Sequence, residues 1–414
     1  MKLHFPRVPV PIWPSPLLFV ALLATAPARD LAAQDLIYRC ENLVVAPDTV
    51  VSPGELLVRD GKVMHVGGEI PIETRARTRV VAFDGATIVP GFVLAHATLG
   101  QERDLAERAA PMTPGLRAAE AFDPFADELA ALPRAGVTSC WLSPSSDNVA
   151  GGLAALVKPG RAGDMAMGTV RVDQGYAKFA LGRPAAVEQS APTSLMGAVD
   201  LLRQAFLAAG RGGGPVDAAV STVQPSDLPE LAAVLRGERP AVLQADSRAE
   251  LLAALGLARE LGFTPVLLGA AAAPDLLDRL AAARAPLLLR PLRPEMRDEE
   301  LRLPAELERR GVPFAFVGPA DQLRPAAALA VRHGCSRKVA LAALTRTPAE
   351  LCGSAAIHGA LRRGCDADFA VFTGDPLDLG ARLLATYVGG ERLFGDAPPA
   401  RVDPRELAAR GGDL

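Results

Sequence analysis

Five short apolar runs recur through the middle of the chain: GVTSCWLSP (136–144), ERPAVLQAD (238–246), FTPVLLGA (263–270), APLLLRP (285–291) and VPFAFVGP (312–319). Amphipathic segments such as RAELLAALGLARELG and APDLLDRLAAARA lie between them. A continuous apolar run of this length suits a strand buried on both faces, and a helix-length connection joins strands that run parallel. The pattern therefore predicts βαβ units. Enough of them occur between residues 91 and 358 to close a (β/α)8 TIM-like barrel within an α/β fold, with its functional face at the C-terminal ends of the strands.

The flanks read differently. LIYRCENLVV, ELLVRDGKVMHVG and RVVAFDGATIVP are short β-rich runs punctuated by Pro53-Gly54, Asp60-Gly61 and Asp84-Gly85, and Asp-Gly is a hairpin signal. CDADFAVFTGDP and LLATYVGGERLF, with Gly389-Gly390, return to the same texture after residue 358. These ends, 34–90 and 359–414, are expected to build one small β-sandwich domain together. His65 alternates with apolar neighbours in one hairpin and reads as structural. Thr347-Pro348-Ala349-Glu350 reads as a helix start, and Gly353 as its end. No repeat of fixed period is present.

Residues 1–33 read as a signal peptide. Lys2 and Arg7 precede an apolar run from Leu17 to Ala26, too short to span a bilayer comfortably, followed by the small-residue sites Ala26-Pro27-Ala28 and Leu31-Ala32-Ala33. Tyr38-Arg39 before Cys40 does not resemble a lipidation site. The mature protein is expected to be exported, periplasmic or extracellular, with no membrane attachment after cleavage. The net charge is −3, and all but five of the 44 basic residues are arginines scattered without a basic block, which excludes nucleic acid as a partner. The five cysteines are odd in number, irregularly spaced and without a CxxC, so they read as buried thiols rather than as a disulfide framework or zinc knuckle.

Three ordered motifs carry a family resemblance. Gly85 to Thr98, GATIVPGFVLAHAT, matches an entry motif of the form G-x-x-V-x-P-G-F-I-D-x-H-x-H. SSDNVAGGLAALVK (145–158) matches N-x-x-G-G-x-x-x-x-x-K. Thr345 to Gly353 and Gly364 to Pro376 match T-x-x-P-A-x-x-x-G and G-x-D-A-D-x-x-x-x-x-x-D-P. Over nearly all of the mature chain the sequence resembles the amidohydrolase superfamily, in particular its imidazolonepropionase-like branch. The resemblance implies hydrolysis of C–N bonds in amides or cyclic amides. It also implies a divalent metal, typically zinc, held by two histidines on the first strand, a lysine or acidic residue on the fourth, single histidines on the fifth and sixth, and an aspartate on the eighth.

Most of that set is missing here. His96 is kept, but Thr98 replaces its partner and Leu94 the upstream aspartate. Gln244, Asp246 and Ser247 stand near the fifth-strand position, Gly269 and Ala270 near the sixth, and Gly318-Pro319-Ala320 near the eighth. No histidine occurs between His96 and His333. Lys158 and Asp321 are the candidate catalytic remnants. His96, Asn148 and Asp246 are the candidate ligand-binding residues, and no metal or other cofactor is expected. The expected function is that of a metal-free pseudoenzyme that binds a small molecule at the barrel mouth, or acts as the partner of an active relative in a homo- or hetero-oligomer. The alternative is an active C–N hydrolase with an atypical mononuclear metal site, zinc or a metal of oxygen preference, built on His96, Asp246 or Asp321. A purely structural protein would instead have its mouth plugged by Leu94 and Leu99. Ser145-Ser146-Asp147-Asn148, before Gly151-Gly152, offers hydroxyls and backbone N–H groups, so serine chemistry with His96 and Asp246 is a further reading.

Overall fold

The structure, a computed structural model, describes residues 35–70, 78–182, 192–211, 224–399 and 401–402. The expected signal segment and its cleavage sites lie outside the described residues. No helix among the described residues is long and apolar enough to cross a membrane.

Both ends of the described chain meet in one mixed sheet of nine strands. Its main path runs Glu391–Gly395, Leu383–Val388, Phe369–Phe372, Arg79–Pro90, Leu36–Ala46, Gly54–Arg59 and Lys62–Gly67; Thr49–Val51 and Arg401–Val402 pair at the side. The expected union of the two ends is present, but the pairing gives a single continuous sheet rather than two sheets facing each other. Alternate residues divide between its faces: Tyr38, Leu56, Val58 and Phe369 pack in one cluster, and Ile37, Leu57 and Val80 in another. Asp60-Gly61 makes a tight turn with both residues at positive φ, 49° and 72°. Asp84-Gly85 does not turn the chain. It lies inside Arg79–Pro90, where the register against Leu36–Ala46 shifts and Gly85 takes φ 69°, so the signal marks a bulge.

The middle of the chain supplies seven parallel strands in two ladders. Phe92–Ala97 pairs with Val137–Leu142. Ala177–Ala180, Ala241–Ala245, Val266–Gly269, Leu287–Leu289 and Phe314–Phe316 follow one another in order. Residues 150–158 fill the place between the ladders and run antiparallel to both neighbours: Ala155–Lys158 pairs with Val137–Leu142, and Ala150–Leu153 with Ala177–Ala180. At the other seam Val93 N donates to Leu344 O (2.8 Å) and Phe316 N to Ala343 O (3.4 Å), so the end of helix Arg337–Ala342 stands between the last and first strands. The arrangement is consistent with a TIM-like barrel, although the strand ladder is not continuous around it.

Side-chain alternation sorts the barrel core. Leu243, Leu267, Leu287 and Phe314 join a large cluster with helix residues such as Leu202, Leu251, Leu301 and Leu323. Ala95, Trp141, Tyr176, Val242, Leu268, Leu288 and Ala315 form a separate cluster drawn from the strands, which is the barrel interior. Helix Arg248–Leu261 starts at a capping box, Ser247 with Glu250, and stops at Gly262 with φ 79°. The helix expected near residue 347 runs Arg346–Leu351; Thr347 lies inside it, and Thr345 precedes it with its hydroxyl bonded back to Leu341 O at 2.9 Å. Trp141, 1 % exposed, leaves no room beside it: a Cβ at Gly175 would sit 2.0 Å from its ring. Gly175→Ala is expected to cost roughly 1–3 kcal/mol, by the rule for overpacked cores. A urea-denaturation midpoint unchanged from wild type would show that the ring yields.

Candidate functional site

The C-terminal mouth is built by the same alternation. In Ala177–Ala180 and its lead-in, Tyr176 belongs to the interior cluster, so Lys178, two residues on, rises from the same side. In Ala241–Ala245, Val242 belongs to it and Gln244 follows in the same way. Asp246 and Arg290 come just after their strands, His96 is at the end of Phe92–Ala97, and Ser146 arrives on the loop after Val137–Leu142.

These groups form one chain of hydrogen bonds. Lys178 Nζ donates to Ser146 Oγ at 2.8 Å and to the Phe179 carbonyl at 3.3 Å. Ser146 Oγ donates to Gln244 Oε1, Gln244 Nε2 reaches Asp246 Oδ2 at 3.4 Å, and the Arg290 guanidinium holds the same oxygen at 2.9 Å. Lys178 is 1 % exposed. Burial pushes its pKa down from 10.5 to about 7, against the pull of Asp147 and Asp246. Burial, with the Lys178 charge adding to it, takes His96 down from 6.5 to about 3, so its imidazole is neutral at pH 7. Among the described residues its buried Nδ1 has no hydrogen-bond partner, nor has Asp246 Oδ1. Gly269, at φ 90°, lets Asp246 approach: a Cβ there would lie 2.4 Å from Asp246 Oδ1.

Beside this network lies a cavity of about 1410 Å³. His96, Thr98, Gln244, Arg290 and Asp321 give it polar points, and Leu94, Leu99, Leu268, Leu289 and Val317 line it with apolar surface. Leu94 and Leu99 thus form part of a wall rather than a plug.

The candidate residues separate accordingly. His96 and Asp246 are at the mouth. Asp321 reaches the cavity from the exposed first turn of helix Ala320–Arg332. Asn148 is buried and donates to Ala110 O at 2.9 Å and Thr113 Oγ1 at 3.4 Å, so it braces a loop instead of facing a ligand. Lys158 is no remnant of the mouth: it is 3 % exposed and bonds Asp366 (2.6 Å) and Asp368, the two carboxylates of the Asp-Ala-Asp motif. The lysine of the site is Lys178, on the strand that precedes and pairs with Ala241–Ala245. A lone lysine inside the apolar run YAKFAL was the signal available for it. His333 caps the end of helix Ala320–Arg332, and His358 is buried against Ser354. All five cysteines are buried and free.

Among solved structures, the chain is similar over 87 % of its length to the whole of an amidohydrolase from Thermotoga maritima MSB8, at 25 % identity and a TM-score of 0.72. The chain belongs to the amidohydrolase superfamily. Amidohydrolase folds recur at lower identity. A molinate hydrolase is matched at 15 % identity and a TM-score of 0.52, over 87 % of this chain and 94 % of that one. A β-aspartyl dipeptidase from Fervidobacterium islandicum AW-1 is matched at 11 % and 0.50, over 90 % and 99 %. No family model and no curated protein matches the sequence.

The amidohydrolase metal centre does not fit the side chains present. Thr98 and Gln244 are poor donors for zinc, Gly269 and Ala320 offer no side-chain donor, and the Lys178 amine is engaged with Ser146. Among the described residues no group of three or more His, Cys, Asp or Glu side chains is placed to hold an ion. His96, Asp246 and Asp321 therefore do not assemble the atypical site.

Proposed function

We propose that this amidohydrolase-fold protein works without a metal and binds a small molecule at the barrel mouth. The observation that carries the reading is that Thr98, Gln244, Gly269 and Ala320 leave too few metal donors, while Lys178, Ser146, Gln244, Asp246 and Arg290 form a hydrogen-bonded network beside an open cavity. Apolar walls with Gln244 and Arg290 at one side suit a largely apolar compound bearing a carbonyl or carboxylate. The sequence motifs resemble those of the imidazolonepropionase-like branch, and the leader-like pattern of residues 1–33 supports export. An active amidohydrolase relative as partner belongs to the same reading.

Elemental analysis tests the proposal. Protein purified after incubation with zinc, manganese or iron and then desalted is expected to carry far less than one equivalent, and Thr98→His alone to leave this unchanged, because about three ligands are needed. One equivalent retained by wild type and lost in His96→Ala would overturn the metal-free reading.

A further inference from the structure

At the mouth Lys178, on the strand where the family resemblance implies a metal-binding lysine, is bonded instead to a serine hydroxyl that belongs to no metal set. Ser146 is half-buried on the loop after Val137–Leu142, and Lys178 approaches it from the wall with Nζ 2.8 Å from Oγ. Gln244 touches the same hydroxyl and also lines the cavity, so the pair lies one side chain from the space a ligand would occupy. Buried lysine amines are commonly satisfied by carboxylates, as Lys158 is by Asp366 and Asp368. Lys178 instead meets a hydroxyl and a carbonyl, with Asp147 and Asp246 near enough only to act through space.

We infer that Ser146 and Lys178 form a serine–lysine pair that accepts acyl groups from esters or amides without a metal. The inference rests on the metal-free reading above and extends it from binding to chemistry. In the first step Ser146 Oγ forms a bond to the acyl carbon while its proton passes to the neutral Nζ of Lys178. The ammonium so formed returns the proton to the departing alkoxide or amine as its bond to the acyl carbon breaks. In the second step water attacks the acyl-serine, losing its proton to Lys178, and the carboxylic acid leaves as Oγ is reprotonated. Burial makes a neutral amine accessible near pH 7, which an exposed lysine does not provide. Gln244 Oε1 now accepts from the Ser146 hydroxyl; once that proton points to Nζ, the amide is free to turn and donate Nε2 toward an oxyanion that forms on the acyl carbon next to Oγ. The apolar residues Leu94, Leu268 and Val317 of the adjoining cavity suit an acyl chain.

The test uses an alkyl fluorophosphonate and p-nitrophenyl butyrate on the full mature protein, with peptide mass spectrometry to locate the adduct. One phosphonyl group on Ser146 is expected, with release of p-nitrophenol. Ser146→Ala should abolish both, and Lys178→Met should slow labelling by about 100-fold or more. Lys178→Gln is the second variant should Lys178→Met not fold, and circular dichroism reports on each. Adduct formation on Ser145 or elsewhere, no adduct at all, or labelling of both folded lysine variants at the wild-type rate would overturn the pair. The two readings separate in a chelator arm. Labelling of Ser146 untouched by chelator supports both, whereas labelling lost on chelation and restored by zinc overturns both. Failure to label, in protein that carries no metal, removes only the serine–lysine chemistry.

Discussion

Lys158→Met is expected to be the most damaging conservative-sized substitution in the barrel-to-sheet contact, lowering stability by about 3–5 kcal/mol. Lys158 Nζ lies between Asp366 and Asp368, whose side chains are 6 % and 2 % exposed. Asp366 has further partners in Lys62 and Arg171, the latter at 3.2 Å, and Asp368 accepts from Gly389 N at 2.8 Å. Removing the ammonium leaves Asp368 buried with a carboxylate and one backbone donor. Desolvating an unpaired charge costs far more than the pair contributes when intact, which is why the single change is severe. Adding Asp366→Asn and Asp368→Asn to Lys158→Met should recover part of the loss, because the buried charges go with their partner. Urea denaturation of the wild type, the single variant and the triple variant measures this; a loss under about 1 kcal/mol for Lys158→Met would class the contact with exposed ion pairs instead.

Acid is the second large effect. His96 and His358 are both held near 3 rather than 6.5, chiefly because burial penalises the charged ring, with Lys178 and Lys158 respectively adding to the penalty and Asp366 opposing it at His358. Between pH 6.5 and about 3 the unfolded chain binds protons at these rings that the folded chain does not. Stability present above pH 6.5 is therefore lost as the pH falls, by roughly 1.4 kcal/mol per pH unit for each histidine. Asp366 extends the loss at lower pH. Burial raises its pKa, but hydrogen bonds from Lys158 and Lys62 outweigh that and hold it at about 2. Its contribution is present above 3.8 and disappears toward 2. Denaturation midpoints at pH 7, 6 and 5 should fall steadily, and His358→Asn, which keeps a polar group beside Ser354, should reduce the slope by about half. A profile flat from pH 7 to 5 would mean that the two rings reach solvent in the folded state.

The residues that made the fold legible are those whose job is local or structural. Asp60-Gly61 turns where its backbone needs it to, and Asp366-Ala367-Asp368 is readable because both carboxylates clamp the same lysine. Asp84-Gly85 misled because a glycine at positive φ serves a bulge as well as a hairpin, and nothing nearby in sequence distinguishes the two. The antiparallel segment 150–158 was hidden for a similar reason: direction is fixed by its partners, which lie elsewhere in the chain. At the site, the absence of histidines was plain, since a missing residue needs no alignment. That Lys178 and not Lys158 faces the mouth was not, because a motif fixes spacing along the chain but not which wall a side chain faces. Asn148 failed likewise, its amide being committed to Ala110 and Thr113 across a loop.

The joint sheet has a consequence for how the molecule comes into being. Arg79–Pro90 receives Phe369–Phe372 as a neighbour only after about 280 further residues have been made, and Lys62 and Lys158 meet Asp366 only across separations of 304 and 208 residues. Through synthesis the early half therefore carries an unsatisfied edge and solitary ammonium groups, a state prone to mispairing with other chains. A late, all-together closure follows, in which the segment from Asp366 to Gly395 acts as the clasp, and loss of that clasp by truncation would be felt at the opposite end of the polypeptide first.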